Sequence, residues 1–228
     1  MLPHFFIVLF WEEIIVMTIN DRVNFIINAL ETKYPLAICS LEYTLPLHLL
    51  IATRLSAQCT DARVNQITPA LFARFPDAHA FAEADVQEIE KLIFSCGFYK
   101  TKAKDIKALC QTLIETYDEQ VPDTVEELIK LPGVGRKTAN LIVGDIFGKP
   151  SIVVDTHCIR ITNRLGLVES ENPLIIEKKL REILPTEKST LFCHRMVWFG
   201  REICPAHKPK CDLCPLATVC PSKNITAV

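Results

Sequence analysis

Glycine is scarce in this chain, with only seven in 228 residues, and extended β-branched runs are few. Few glycines leave few of the tight turns that a many-stranded β-architecture needs, so helices are favoured. An excess of positive charge is also missing: 25 Lys and Arg against 27 Asp and Glu leave a formal net charge of −2. That balance gives no overall attraction to a polyanion, so any nucleic-acid contact has to come from a local basic surface. Nor is there an apolar run of the ~20 residues that crosses a bilayer as a helix. Leu2–Trp11 comes nearest but is too short. It has no basic segment before it and no small-residue cleavage site after it, which makes it a poor signal peptide. Residues 1–16 read as an extension upstream of a start at Met17, or as a disordered tail; a membrane anchor is the remaining alternative.

What is present is a strong helical pattern. Hydrophobic residues make up 49% of the chain and charged ones 23%, ample for a packed core and too apolar for disorder over most of its length. Val23, Phe25–Ile27 and Leu30 predict a helix from Asp21 to Lys33, stopped by Pro35. Leu45–Ala57, Val64–Phe75, Val86–Phe94, Lys102–Tyr117, Arg136–Phe147, Glu177–Leu184 and Thr190–Phe199 read the same way. Thr124 and Glu127 have capping-box spacing ahead of a short helix. Ser151-Ile-Val-Val-Asp155 is β-branched, but without partner strands it reads as an extended link ending at an N-cap, Asp155. The expected class is all-α.

Ten cysteines are unevenly distributed. Cys39, Cys59, Cys96, Cys110, Cys158 and Cys193 are scattered singly through apolar sequence and read as small buried thiols in a reducing compartment. Cys204, Cys211, Cys214 and Cys220 crowd together as C-x6-C-x2-C-x5-C. Four thiolates so close in sequence can close around one soft metal centre, with Pro205, Pro209, Pro215 and Pro221 stiffening the intervening loops. Two disulfides, or four buried thiols, are the alternatives. Spacing alone does not separate zinc from an iron–sulfur cluster, because both accept four thiolates.

Leu131-Pro-Gly-Val-Gly-Arg-Lys-Thr-Ala-Asn140 lies between two expected helices. Gly133 and Gly135 permit positive φ and close backbone approach. The helix N-terminus that follows offers unpaired N–H groups to a phosphate without regard to base sequence. This is a helix-hairpin-helix reading, with an ordinary αα-corner as its alternative. Lys137 falls in the first turn of the second helix, where the dipole disfavours a cation, so its amine is a candidate nucleophile for an electrophilic sugar C1′. A phosphate-contacting or solvated lysine is the plainer reading. Asp155 is an N-cap by position. A carboxylate there can also stabilise cationic sugar character.

Leu55-Ser-Ala-Gln-Cys-Thr-Asp61, Gly97-Phe-Tyr-Lys-Thr-Lys-Ala103, the hairpin decapeptide, Val154-Asp-Thr-His157 and the four-cysteine spacing occur in this order. Together they resemble the endonuclease III family of DNA glycosylases over about residues 20–223. The resemblance implies two helical domains. A six-helix barrel would occupy residues 39–150 with its hairpin at 131–135. An iron–sulfur domain would be built from 17–38 and 151–228, with a flipped-out base entering the cleft between the two. It implies a 4Fe–4S cluster on Cys204, Cys211, Cys214 and Cys220, with zinc as the alternative. Lys137 would be the Schiff-base nucleophile and Asp155 its catalytic partner. Gln58 would fill the gap left by the extruded nucleotide, Phe98 would wedge the opposite strand, and Gly133, Val134 and Gly135 would hold the backbone. The implied partner is double-stranded DNA carrying damaged pyrimidines or abasic sites, met by a monomeric cytoplasmic bacterial protein with no membrane association. Local charge would come from Arg195–Lys210, with four Lys/Arg and one Asp/Glu (4 − 1 = +3), and from Lys100, Lys102, Lys104 and Lys107. An adenine glycosylase, which lacks lysine at the position of Lys137, and a non-enzymatic DNA-binding module are the rivals.

Overall fold

A computed structural model describes residues 17–223, so the reading of residues 1–16 lies outside the described residues. Among the described residues the secondary structure is helical, with no strand. The helices in chain order are α1 Ile19–Lys33, α2 Pro46–Ser56, α3 Asp61–Arg74, α4 Ala78–Glu83, α5 Val86–Leu92 and α6 Tyr99–Tyr117. They continue with α7 Val125–Leu128, α8 Arg136–Asp145, α9 Thr156–Arg164, α10 Pro173–Ile183 and α11 Ser189–Glu202. The all-α expectation holds.

Capping residues set several starts earlier than periodicity placed them. Thr18 and Asp21 form a reciprocal capping box that begins α1 at Ile19. Thr60 accepts from Arg63 N and starts α3 at Asp61 rather than Val64; the helix then runs on through Pro69. Asn172 caps α10, with Pro173 at its first position, four residues ahead of the expected Glu177. The six-residue α4 was not anticipated: Asp77 caps it, and it is shorter than the window in which a 3.6-residue period can be read.

The chain divides into two compact units. The larger takes Ile38–Asp155 and Glu187–His194; the smaller takes residues 17–37, Thr156–Thr186 and residues 195–223. The expected 39–150 boundary thus moves, because Ser151 and Val153 hydrogen-bond to Thr190 and Cys193 within the larger unit. Its core centres on α2, where Leu49, Leu50, Ile51, Ala52 and Leu55 are all fully buried. A helix apolar on nearly every side has to be surrounded, and α3, α6 and α8 pack against it. In the smaller unit α11 meets α1 through Arg195, which donates to Glu31 at 2.9 Å and to the Tyr34 carbonyl at 3.3 Å.

Phe81 of α4 is fully buried, its ring 5.0 Å from that of Phe75. Truncating it leaves a cavity that the surrounding helices cannot fill. Phe81→Ala is expected to cost about 3–5 kcal/mol of unfolding free energy, measured by urea denaturation.

Candidate functional site

Gln58 and Phe98 occupy the left-handed region, with φ of 52° and 58°. For a residue with a Cβ this costs ~1–2 kcal/mol, so surrounding contacts have to impose it. Gln58 follows the end of α2, and Phe98 immediately precedes α6. Both side chains are exposed, Phe98 by 67%, so neither is a buried helix-end residue. Three contacts tie the two turns together. Lys102 of α6 donates to the carbonyls of Leu55 and Ala57, both at 2.7 Å. The Cys59 and Cys96 sulfurs lie 3.6 Å apart. A Cβ on Gly97 would sit 3.5 Å from the Gln58 carbonyl oxygen, so the turns are already in contact.

The hairpin adjoins the same place. Arg54, in the last turn of α2, donates through Nε to Asp105 of α6 at 2.9 Å. Gly133, at φ 74°, lies over that ion pair; a Cβ there would stand 2.8 Å from Arg54 Nε and 2.9 Å from Asp105 Cβ. Gly135 differs from expectation. Its backbone is extended (φ −96°, ψ 172°), so it needs no left-handed freedom, and a Cβ would meet nothing within 4 Å. What its lack of a side chain leaves is open space in front of the α8 N-terminus, which has no side-chain cap. Val134 is buried, so its side chain anchors the hairpin in the core. Thr124 accepts from Glu127 N at 3.3 Å, but the Glu127 carboxylate turns to Tyr117 and Lys130, so only half of the capping box forms.

Lys137 is exposed on the first turn of α8. Asp155 is half-buried at the end of the irregular 151–155 link, immediately before α9. Buried Ser151 packs on α8 at Gly144, where a Cβ would come within 2.8 Å of Thr190 Cγ2. The basic surface is smaller than composition suggested. Lys102 is buried, Lys107 donates to the Ala84 carbonyl at 2.7 Å, and Arg195 is buried in its contacts with α1. Of the four α6 lysines, Lys100 and Lys104 are the exposed ones. The structural roles of Lys102 and Arg54 carried no sequence signal, because their partners lie 45 to 51 residues away.

In the smaller unit Cys204, Cys211, Cys214 and Cys220 line one cavity of about 110 Å³ together with Ile161, Leu165 and Phe199. All four are half-buried free thiols, as are Cys39 and Cys59, which the sequence reading had placed among the buried ones. Burial pushes the Cys214 and Cys220 thiols up, and the neighbouring thiols add to it. The donor set fits a group that carries positive charge. Arg164 Nη1 donates to Cys204 Sγ at 3.2 Å, and the Leu216 and Ser222 amides donate to the Cys214 and Cys220 sulfurs. Arg164 also holds the Pro205 and Ala206 carbonyls at 2.7 and 2.8 Å, and Arg160 holds that of Cys204 at 2.9 Å. Among the described residues no three His, Cys, Asp or Glu side chains converge closely enough for a single metal ion.

Residues 51–186 match the HhH-GPD superfamily, described as base excision DNA repair protein. The chain is 48% identical over 204 residues to Endonuclease III of Synechocystis sp. (strain ATCC 27184 / PCC 6803 / Kazusa), covering 89% of this chain and 93% of the relative. It is 36% identical over 199 residues to Endonuclease III of Escherichia coli (strain K12), covering 87% and 94%. Among solved structures it resembles a trapped endonuclease III–DNA covalent intermediate, with TM-score 0.87, 42% identity, and 91% and 98% of the two chains covered. A thermostable thymine-DNA glycosylase, at 23% identity and TM-score 0.81, shares the fold over 90% and 97% of the chains.

The two hairpin glycines should respond differently to the same change. Gly133→Ala meets a left-handed backbone and the Arg54–Asp105 pair, and is expected to cost ~1–3 kcal/mol in chemical denaturation. Gly135→Ala meets neither, and is expected to stay within ~0.5 kcal/mol of the parent.

Proposed function

The chain belongs to the HhH-GPD superfamily of base excision DNA repair proteins and is a DNA glycosylase and AP lyase, and from that premise we propose that it removes oxidised pyrimidines from duplex DNA with Lys137 as nucleophile. The observation that carries this reading is the exposed Lys137 amine on the uncapped first turn of α8, directly after a glycine that leaves open space. A phosphate held by the main-chain N–H groups there would bring the adjoining sugar to the amine.

Lys137 Nζ attacks C1′ as the glycosidic bond breaks, and the base leaves with the bonding electrons and acquires a proton. Loss of a proton from nitrogen and opening of the sugar ring give an imine joining Lys137 to C1′. The imine acidifies the 2′ hydrogens; removal of one expels the 3′ phosphate by β-elimination. Asp155 stabilises cationic character on the sugar as the base departs. Its reach supports that role. Ser151 packs at Gly144, seven residues or ~10 Å along α8 from Lys137, and the four residues from there to Asp155 can span up to ~13 Å. Gln58 fills the vacated stack and Phe98 wedges the opposite strand, consistent with their exposure on adjoining turns.

Cys204, Cys211, Cys214 and Cys220 would hold a 4Fe–4S cluster, with zinc the alternative. A cavity of about 110 Å³, several times the ~30 Å³ share of one water, suits a multi-atom group better than a lone ion. Bound there, the group would tie the four cysteines together and so cross-link the C-terminal loops. In this reading, which the bacterial Endonuclease III relatives support, the protein acts on DNA as a monomer in the cytoplasm. No described helix is long and apolar enough to cross a membrane.

Borohydride trapping tests the nucleophile. The parent protein is expected to form a covalent adduct with abasic-site duplex and Lys137→Ala to form none; an equal adduct from the variant would overturn the assignment. Asp155→Asn is expected to retain duplex binding while its excision rate falls ~10²-fold or more. Iron and labile-sulfide analysis tests the cofactor. About four of each per chain are expected, with Cys214→Ser losing both and melting at lower temperature. Stoichiometric zinc without iron would select the alternative.

A further inference from the structure

The ligands to the C-terminal group account for four of the ten cysteines. Of the others, Cys59 and Cys96 form a close pair, with sulfurs 3.6 Å apart. Cys59 follows left-handed Gln58 and is half-buried. Cys96 is fully buried, two residues ahead of left-handed Phe98. The pair therefore bridges the two turns that present Gln58 and Phe98. A disulfide bond is ~2.05 Å long, so the sulfurs have to approach by ~1.5 Å to form one. Burial pushes the Cys96 thiol up to about 11, opposed by the nearby Lys102 and Arg63 cations. The more accessible Cys59 is thus the sulfur an oxidant meets first, and Cys96 is the resolving thiol.

We propose that Cys59 and Cys96 are a thiol modification site, closed to a disulfide by a hydroperoxide, and that this bond suppresses excision by drawing the two turns out of register. The Cys59 thiol sheds its proton and its sulfur attacks one peroxide oxygen; the O–O bond breaks, Cys59 becomes a sulfenic acid, and the leaving oxygen takes that proton and departs as water (as an alcohol from an organic hydroperoxide). The Cys96 sulfur then attacks Cys59 Sγ; the S–O bond breaks, and the departing hydroxide takes the Cys96 proton as a second water. Two thiols lose two electrons and one peroxide gains them. A thiol reductant reverses the change by exchange. Loss of activity follows because a displacement near 1 Å in positioning groups costs up to ~10²-fold in rate. This functional consequence rests on the assignment of Gln58 and Phe98 to DNA; the bond itself does not.

Trypsin releases Cys59 in Leu55–Arg63 and Cys96 in Leu92–Lys100, one cysteine in each peptide. The metal-loaded protein is treated with hydrogen peroxide, alkylated, digested and mapped by mass spectrometry, with excision measured in parallel. The parent is expected to yield the cross-linked peptide pair and lose about 10-fold or more of its excision rate, restored by dithiothreitol. Cys59→Ser and Cys96→Ala, each unable to cross-link, are expected to keep their rate under the same dose. Absence of the peptide pair, or its formation with excision unchanged, would overturn the proposal. Equal inactivation of both variants would also overturn it, by placing the damage elsewhere. If the reduced parent had no excision activity, the functional reading would fail, whereas the peptide map would still decide the thiol pair.

Discussion

The end of α2 is held by a buried cation. Four carbonyls at a helix C-terminus lack partners, and the helix dipole gives that end negative character. Lys102 meets both needs with one ammonium, 1% exposed, donating to Leu55 and Ala57. Burial pushes its pKa down, while the neighbouring thiols of Cys96 and Cys59 pull it back toward the charged form. Because the two carbonyls flank the turn that leads into Gln58, this side chain fixes where α2 stops and where Gln58 emerges. Arg54, one turn earlier, pairs instead with the Asp105 carboxylate of α6, and over that ion pair lies a space that only a glycine at 133 fits. The left-handed turns and the hairpin thereby rest on the same three elements: α2, α6 and the α7–α8 corner.

The cysteine segment uses the same chemistry. Arg160 and Arg164 of α9 donate to the carbonyls of Cys204, Pro205 and Ala206, and Arg164 also reaches the Cys204 sulfur. A planar guanidinium satisfies several carbonyls at once and tolerates burial better than an ammonium, which suits a segment with little regular structure. In both units, cations that composition assigns to the surface serve main-chain carbonyls instead. The positive charge left for DNA is correspondingly smaller than a count of lysines and arginines suggests. In the proposed reading, the uncapped α8 N-terminus would add main-chain groups, which net charge does not register, to the exposed Lys100, Lys104, Arg201, Lys208 and Lys210.

Much of the fold was legible in local pattern. Long helices such as α6 announce themselves by a repeating apolar face, and the class follows from them. Their ends were read less well, since a cap such as Thr18, Thr60 or Asn172 lies outside the periodic stretch. Ser151–Asp155 joins no strand, as expected, because β-branched residues without a partner strand have no ladder to join. Gly135 misled, because a glycine in a turn suggests positive φ, whereas this one provides room.

Motif residues were determined by the sequence itself: Lys137 after a glycine turn, Asp155 before a helix, and four cysteines spaced to share one cavity. Each depends on neighbours a few positions away, and local chemistry transmits that information along the chain. The tertiary structure alone decided which lysines face solvent, which glycine is sterically required, and that Cys59 and Cys96 meet. Those outcomes depend on residues far apart in sequence, from 23 positions for Lys107 and Ala84 to 133 − 54 = 79 for Gly133 and Arg54, brought together when the apolar faces of the helices are buried. No periodicity or spacing encodes such a meeting, because burial selects the face of a helix and leaves its partner to the packing of the whole core.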